Sequence, residues 1–226
     1  MKILHISDTH SYHRLLNIPN DIDMIIHSGD FSNYYNYYDN LIETTKFLEW
    51  YVQINVKYKI LIAGNHDAVA ALDITFKQQC KERGIIYLEH ESVEIEGINI
   101  FGSPYTPTFG NWYFMKSRHN LDKVWESIPD NTDILVVHGP PKGFLDLSYN
   151  RDHNLEYCGC NALKRHILSR IKPKLVLFGH IHNNEDIINA GIMKLSNYDT
   201  IFSNGSVLCD GKFGKLTSQG NILNYE

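Results

Sequence analysis

The sequence predicts an α/β fold in which two β-sheets pack face to face and helices cover the outside. Three observations point there. Short apolar runs recur, each ending in a polar turn. Several of them are separated by stretches with helical spacing. Two further regions carry the period-two alternation and glycine punctuation of antiparallel strands.

The apolar runs occupy residues 3–6, 24–26, 60–63, 134–137 and 175–178, and each leads into a segment that contains glycine or Ser-Asp. Their length and Ile/Val content favour buried strands over helices. Residues 41–52 place Leu41, Thr45, Leu48 and Val52 on one helical face. Residues 70–83 and 163–171 read the same way, with Gly84 and Pro173 as stop signals. Strand alternating with helix implies parallel sheet. Residues 92–102 alternate around Gly97 and read as an antiparallel hairpin. From 187 to 225, short β-type runs are divided by Gly191, Gly205, Gly211, Gly214 and Gly220. With no internal repeat, linker or low-complexity segment, residues 1–226 are expected to form a single domain.

Composition narrows the function classes. A 43% hydrophobic and 21% charged chain is an ordinary globular sequence, which removes disorder as an explanation. A net charge of -5 argues against stable binding to nucleic acid or an anionic membrane, because such proteins carry a basic face. Bound divalent cations would reverse that potential locally. Four cysteines do not make a disulfide scaffold. Cys80 and Cys209 sit singly in apolar surroundings, and Cys158-Gly159-Cys160 is too tightly spaced for the usual zinc or redox pair. The run at 1–6 is too short for a secretory signal, and no run approaches a membrane span, so the cytoplasm is the expected compartment.

The residues able to bind metal follow the predicted strands. Asp8-Thr9-His10 comes after the first, Gly29-Asp30 after the second and Gly64-Asn65-His66-Asp67 after the third. His138-Gly139 and Gly179-His180-Ile181-His182 follow the last two. Ligands gather at the carboxyl ends of parallel strands, so loops far apart in sequence can converge on one point. Carboxylates, imidazoles and an amide, with no thiolate, suit Mn, Fe or Zn. D-x-H and H-x-H can present both side chains to one side of an extended loop. A carboxylate such as Asp30 can bridge two cations about 3.5–4 Å apart, and a shared water would then ionise near neutral pH. Each piece alone fits a plainer role. Asp8 suits a helix cap, Gly29-Asp30 and Asn65 suit turns, and His138 suits a strand-end histidine. Their common placement after five apolar strands favours the metal reading.

These blocks resemble the five motifs of the calcineurin-like metallophosphoesterases, in the same order and over most of the chain. The text around residues 6–11, 62–66, 102–107, 137–141 and 174–182 is similar to the metallophosphoesterase-domain-containing (MPPED) subfamily, regarded as metal-dependent phosphodiesterases, some acting on cyclic nucleotides. The resemblance implies a four-layer αββα sandwich with two mixed sheets. It implies one divalent transition-metal ion, Mn2+ first, held by Asp8, His10, Asp30 and His182. A second would be held by Asp30, Asn65, His138 and His180. It gives His66 the role of phosphoryl contact or acid, with Asp67 orienting it, and implies in-line attack by a hydroxide shared between the ions. After the H-x-H block the subfamily tends to carry Glu and a glycine turn, whereas this chain has Asn183-Asn184-Glu185-Asp186. That departure bears on substrate preference, not on the ligands.

The expected substrate is a small phosphoester, of nucleotide type. Residues 105–114 are dense in aromatics, with Tyr105 and Trp112 as candidate platforms for a base. Such stacking is worth roughly 1–3 kcal/mol per base. An aromatic minicore that pins a long loop fits equally. The loop 142–157 is a further candidate wall, with Arg151 and His153 as candidates to reach phosphate, against a solvated-loop reading. A phosphomonoesterase or protein phosphatase, and a non-catalytic interaction module on the same fold, stay open as alternatives.

Overall fold

The computed structural model describes residues 1–150, 152–210 and 215–225. In chain order the first sheet and its helices come first. They are β1 (Lys2–Ile6), β2 (Met24–Ser28), α1 (Tyr37–Gln53), β3 (Tyr58–Ile62), α2 (Ala68–Leu72), α3 (Phe76–Glu82) and β4 (Ile86–Tyr87). The hairpin β5 (Glu91–Ile95) and β6 (Ile98–Ser103) follows, then the short pair β7 (Thr106–Pro107) and β8 (Met115–Lys116). Next are α4 (Arg118–Glu126), β9 (Ile134–Val137), β10 (Leu147–Tyr149), β11 (Leu155–Tyr157) and α5 (Asn161–His166). The chain closes with β12 (Leu175–Phe178), β13 (Gly191–Lys194), β14 (Ile201–Asn204) and β15 (Asn221–Asn224).

One sheet runs β15-β1-β2-β3-β4 and the other β13-β14-β12-β9-β6-β5. In both, the central strands are parallel and antiparallel strands lie at an edge. The side-chain period of two builds the layers. Ile3, Met24, Ile26, Ile60 and Ile62 face Ile100, Ile134, Val136 and Leu177 between the sheets. Their neighbours Leu4, Ile6, Ile25 and Leu61 turn outward onto Phe47, Leu48 and Tyr51 of α1 and Phe76 of α3. On the far side, Leu135, Val137, Val176 and Phe178 pack on Leu121 and Trp125 of α4 and Leu163 of α5. The result is a four-layer αββα sandwich with three apolar interfaces. Fully burying one such side chain contributes about 1.5–3 kcal/mol. No helix among the described residues is long and apolar enough to cross a membrane.

Several elements differ from the sequence expectation. The buried stripe of α1 is Asn40, Thr44, Phe47, Leu48 and Tyr51, whereas Thr45 and Val52 are exposed. A polar Asn40 occupies that stripe because its amide is used. Nδ2 donates to the Tyr34 and His66 carbonyls, and Oδ1 accepts from Val69 N–H. The helix expected over 70–83 is two helices. The Asp73 carboxylate accepts from Thr75 N–H and Oγ1–H at 2.8 and 2.7 Å, a local turn that competes with helical bonding. The segment 163–171 passes from α5 into a π-helical stretch, Ile167–Ile171, ended by left-handed Lys172 before Pro173. The hairpin turns at Glu96-Gly97, both with positive φ, as a two-residue loop of that kind requires.

Two buried histidines lie behind the strand ends. His5 bonds Ser203 and Ser28 Oγ at 2.8 and 2.9 Å, and His27 bonds Thr9 Oγ1 at 3.0 Å. Burial, which disfavours the charged ring, lowers both to about 3. Unfolding returns them to about 6.5, so below that pH the unfolded chain binds more protons and stability falls as pH falls. Each histidine contributes up to about 1.4 kcal/mol per pH unit in this window. Asp67, raised by burial and by Asp30 against the four donors on its oxygens, and His138 and His182, raised despite burial by the carboxylates beside them, oppose the effect in part. The urea midpoint of the metal-free protein should therefore be lower at pH 5 than at pH 6.5. An unchanged or rising midpoint would show that these rings are not held neutral.

Candidate metal centre

The five loops expected to carry ligands all leave the carboxyl ends of parallel strands, β1, β2, β3, β9 and β12. The two sheets are tied there. Ser7 N–H donates to Gly205 O at 2.8 Å and Val207 N–H to Ser7 O at 3.1 Å, so the end of β1 pairs with the segment after β14. Gly179 N–H donates to His138 O, and Asp8 N–H to Gly29 O. Close approach leaves no room for a side chain at two glycines. A Cβ on Gly64 would meet Asp30 Oδ1 at 2.2 Å, and one on Gly179 would meet Asp8 Oδ2 at 2.1 Å.

The ligand-bearing backbone is not extended. Asp8, His10, Asp30 and His180 have φ of 54, 38, 56 and 69°, so D-x-H converges through left-handed bends rather than through alternation along a strand. Such a conformation costs roughly 1–2 kcal/mol per residue outside glycine and persists where surrounding bonds over-determine it. Here they do. Asp8 accepts from His180 N–H at 3.0 and 2.9 Å and from Ser206 Oγ–H at 2.8 Å, and His10 N–H reaches Asp30 O.

Two donor groups result, with Asp30 beside both. Asp8, His10 and His182 offer atoms within 4.8 Å of one another, as do Asp30, His138 and His180. His182 Nε2 lies 3.1 Å from Asp8 Oδ1 and 3.4 Å from His10 Nε2. Asp30 Oδ2 lies 3.3 Å from His138 Nε2 and 3.9 Å from His10 Nε2. Asn65 Oδ1 sits 3.0 Å from His138 Nε2. The other ring nitrogens meet acceptors. His10 Nδ1 faces Ser32 O at 3.1 Å, His138 Nδ1 faces Ser28 O at 2.9 Å, and His182 Nδ1 faces the Asp210 carboxylate at 2.7 Å. Those contacts place the proton on Nδ1 and direct Nε2 lone pairs inward. With the His182 Nε2 proton displaced, the Nε2 atoms of His182 and His10 stand 3.4 Å apart, a spacing that suits a shared cation, since donors 2.0–2.2 Å from one ion stand roughly 3–3.5 Å apart. The residues fit a pair of divalent ions.

The electrostatics agree. Burial alone would raise Asp8 and Asp30, yet His182 beside Asp8 and His138 beside Asp30 hold both carboxyls well below the usual range. Burial lowers His10 to about 4 and His180 to about 3. For His138 and His182 burial is outweighed by Asp30 and by Asp8 with Asp210, and they rise to about 9 and about 10. The carboxylates thus attract positive charge, which cations would supply by displacing those protons.

The remaining expected residues divide. His66 is in the site, sharing a group with His10 and Asp30. Asp67 does not orient it. The His66 Nδ1 bonds Asn33 O at 2.9 Å, while the Asp67 carboxylate accepts from the N–H groups of Asp30, Ser32 and Gly64 at 2.9, 3.0 and 2.7 Å and from Ser32 Oγ–H at 2.7 Å. Loop geometry needs that carboxylate more than the imidazole does. Trp112 stacks on the His66 ring, centroids 4.1 Å apart. Tyr105 turns away to His90, Phe114 and Lys116, so it offers no platform at the metals. Arg151 lies outside the described residues. The cleft of about 610 Å³ is walled by Phe109 of the aromatic segment, by Lys142 and Tyr157 from the two ends of the 142–157 loop, and by Arg118, which no sequence signal singled out. Phe109 lies against His180 at 5.1 Å. Asp210 is equally illegible from sequence, an isolated acid whose partner is 28 residues away.

A sandwich with these strand-end donors defines a metal-dependent phosphoesterase framework, and the sequence comparisons agree. The profile of the calcineurin-like phosphoesterases matches residues 1–184, and the chain belongs to that family. Among its relatives is human metallophosphoesterase domain-containing protein 1, 33% identical over 82% of this chain and 62% of that protein. A UPF0046 protein of Caenorhabditis elegans is 31% identical over 84% of this chain and 67% of its own length. The chain thus spans about two thirds or less of these relatives. A hypothetical protein from Thermus thermophilus shares the fold, with a TM-score of 0.50 at 15% identity, covering 95% of this chain and 79% of that one.

Removing the carboxylate behind His182 tests the geometry directly. Asp210→Asn should weaken one of two bound ions by about 10–100-fold, as loss of an outer partner usually does. Titration of chelated protein with Mn2+ or Zn2+ should show one affinity changed and the other retained. Two unchanged affinities would separate Asp210 from the centre.

Proposed function

We propose that the protein hydrolyses a small phosphodiester of nucleotide type with the help of two divalent transition-metal ions, Mn2+ first and Fe or Zn next. The observation that carries this reading is the pair of donor groups meeting at Asp30 on the floor of an open cleft. The donor set is oxygen and nitrogen only, which suits those metals. When bound, two such ions would supply Lewis acidity toward a phosphoryl group and an ionised water at neutral pH.

The chain's own residues supply the rest. Asp8, His10, Asp30 and His182 would hold one ion, and Asp30, Asn65, His138 and His180 the other. Asn65 Nδ2, buried and without a hydrogen-bond partner, is available to a phosphoryl oxygen. His66 donates through Nδ1 to the Asn33 carbonyl, which leaves Nε2 for the cleft and for protonating the leaving oxygen. The cleft carries Glu156 and Asp210 beside Arg118 and Lys142, and the Arg118 guanidinium is fixed by the Cys158 and Gly159 carbonyls at 2.9 Å. Phe109 and Tyr157 offer apolar faces for a base.

The metal-loaded protein should cleave bis-p-nitrophenyl phosphate faster than p-nitrophenyl phosphate. A monoester preference would overturn the diesterase reading. His66→Ala should lower turnover of a nucleoside 3′,5′-cyclic phosphate, whose alkoxide needs a proton to leave, by about 10²–10⁴-fold, the usual worth of a general acid, while elemental analysis still finds both metals. Full metal loading with no turnover of any phosphoester would favour a binding module instead.

A further inference from the structure

We propose that Trp112 is the positioning residue of the acid, holding the His66 ring in the orientation that delivers its proton. The assignment rests on the phosphodiesterase reading above and deepens it.

Among the described residues no carboxylate hydrogen-bonds the His66 ring: Asp67 is consumed by backbone N–H groups and by Ser32, and Asp30, within 4.8 Å of the ring's donor atom, accepts the His66 backbone N–H instead. Three other contacts fix the ring. Its Nδ1 meets Asn33 O at 2.9 Å, its plane lies over Trp112 at 4.1 Å with a 33° tilt, and His10 meets it edge-on at 4.8 Å. A hydrogen bond to one carbonyl leaves the ring free to swing about that bond. The indole face removes this freedom. An indole face also attracts a cationic imidazolium, through the negative potential of its π-system.

Trp112 is itself braced. Tyr35 meets its ring edge-on at 5.5 Å and stacks on Tyr113 at 5.4 Å. Tyr113 N–H donates to the Asn65 carbonyl at 3.1 Å, and Tyr113 Oη–H to Tyr35 O at 3.3 Å. Asn111 Nδ2 reaches Tyr35 Oη at 3.3 Å. The loop between β7 and β8 is thereby anchored on the residue preceding His66 and on the segment after Asn33. One aromatic stack therefore holds the His66 ring, alongside its contact with His10. In the step itself, a hydroxide oxygen bonds to phosphorus as the P–O bond to the leaving group breaks, and the His66 Nε2–H proton passes to the departing alkoxide, leaving a phosphomonoester, an alcohol and a neutral imidazole. A displaced ring would still leave the metal ligands in place.

Two diesters distinguish this role from a merely structural one. The p-nitrophenolate of bis-p-nitrophenyl phosphate leaves without a proton, whereas the alkoxide of a nucleoside 3′,5′-cyclic phosphate needs one. Trp112→Ala should lower kcat on the cyclic ester at least about tenfold, a fraction of what a general acid supplies. With bis-p-nitrophenyl phosphate the change should stay below about threefold, as expected where no proton is required. KM and metal content should hold, Trp112→Phe should restore most of the loss, and Trp112→Ala should add nothing in a His66→Ala background. Equal losses on both esters, a change in KM alone, or additivity with His66→Ala would overturn the proposal. A second arm does not need turnover. The His66 ring protons should be shifted upfield by the indole in NMR spectra and should move downfield in Trp112→Ala. If the wild-type protein cleaves neither ester but this shift is present, the phosphodiesterase reading fails while the placement of His66 stands. If the shift is absent, the proposal itself fails.

Discussion

The centre depends on a carboxylate whose oxygens are turned to the protein's own donors. Asp67 is fully buried and accepts the N–H groups of Asp30, Ser32 and Gly64, together with the Ser32 hydroxyl. It therefore fastens the loop after β2 to the loop after β3. Burying an acid away from water is costly unless its lone pairs are filled, and four donors fill them. Asp30 can hold a left-handed backbone because this bond at its N–H, and the one from His66 N–H to its own Oδ1 at 2.7 Å, leave it no other position. Asn40 continues the brace from α1 by reaching the His66 carbonyl, so the helix layer helps to place the loop after β3.

On the opposite side Asp8 does for β1, β12 and β14 what Asp67 does for β2 and β3. Its oxygens collect His180 N–H and Ser206 Oγ–H while lying beside His182. The strain in four ligand-bearing residues is offset by these bonds, which is how functional sites retain sparsely populated backbone. The sandwich supplies rigidity. Parallel strands from two sheets end at one rim, and the bridge between Ser7 and Ser206 keeps those rims in register.

Charge and tautomer follow from the same framework. Backbone carbonyls behind His10 and His138, and a carboxylate behind His182, turn the metal-facing nitrogens inward. His66 has a carbonyl behind it and an indole beside it, contacts that hold the ring in place. The stretch Gly64-Asn65-His66-Asp67 thus divides its labour. Asn65 faces the metal group, His66 the cleft, and Asp67 the interior.

The sequence by itself determined the layers and which Asp, Asn and His residues gather at the strand ends. Continuous apolar runs declare strands buried on both faces because alternate side chains must find opposite cores, and β9 and β12 begin and end where those runs do. Asp and His placed directly after such runs declare a site because parallel strands bring their ends together. Local pattern carries that information. What lies behind and around the ligands was decided only by tertiary structure. Asp210 reaches His182 from a glycine-rich tail, Trp112 lies on His66 from a loop 46 residues on, and Tyr105 turns away though it heads the same aromatic segment. Asp67 kept its place in the motif but gave its oxygens to backbone donors. Each of these depends on which unpaired N–H, ring face or carboxylate folding brings within a few ångströms, and no sequence period encodes such a distance.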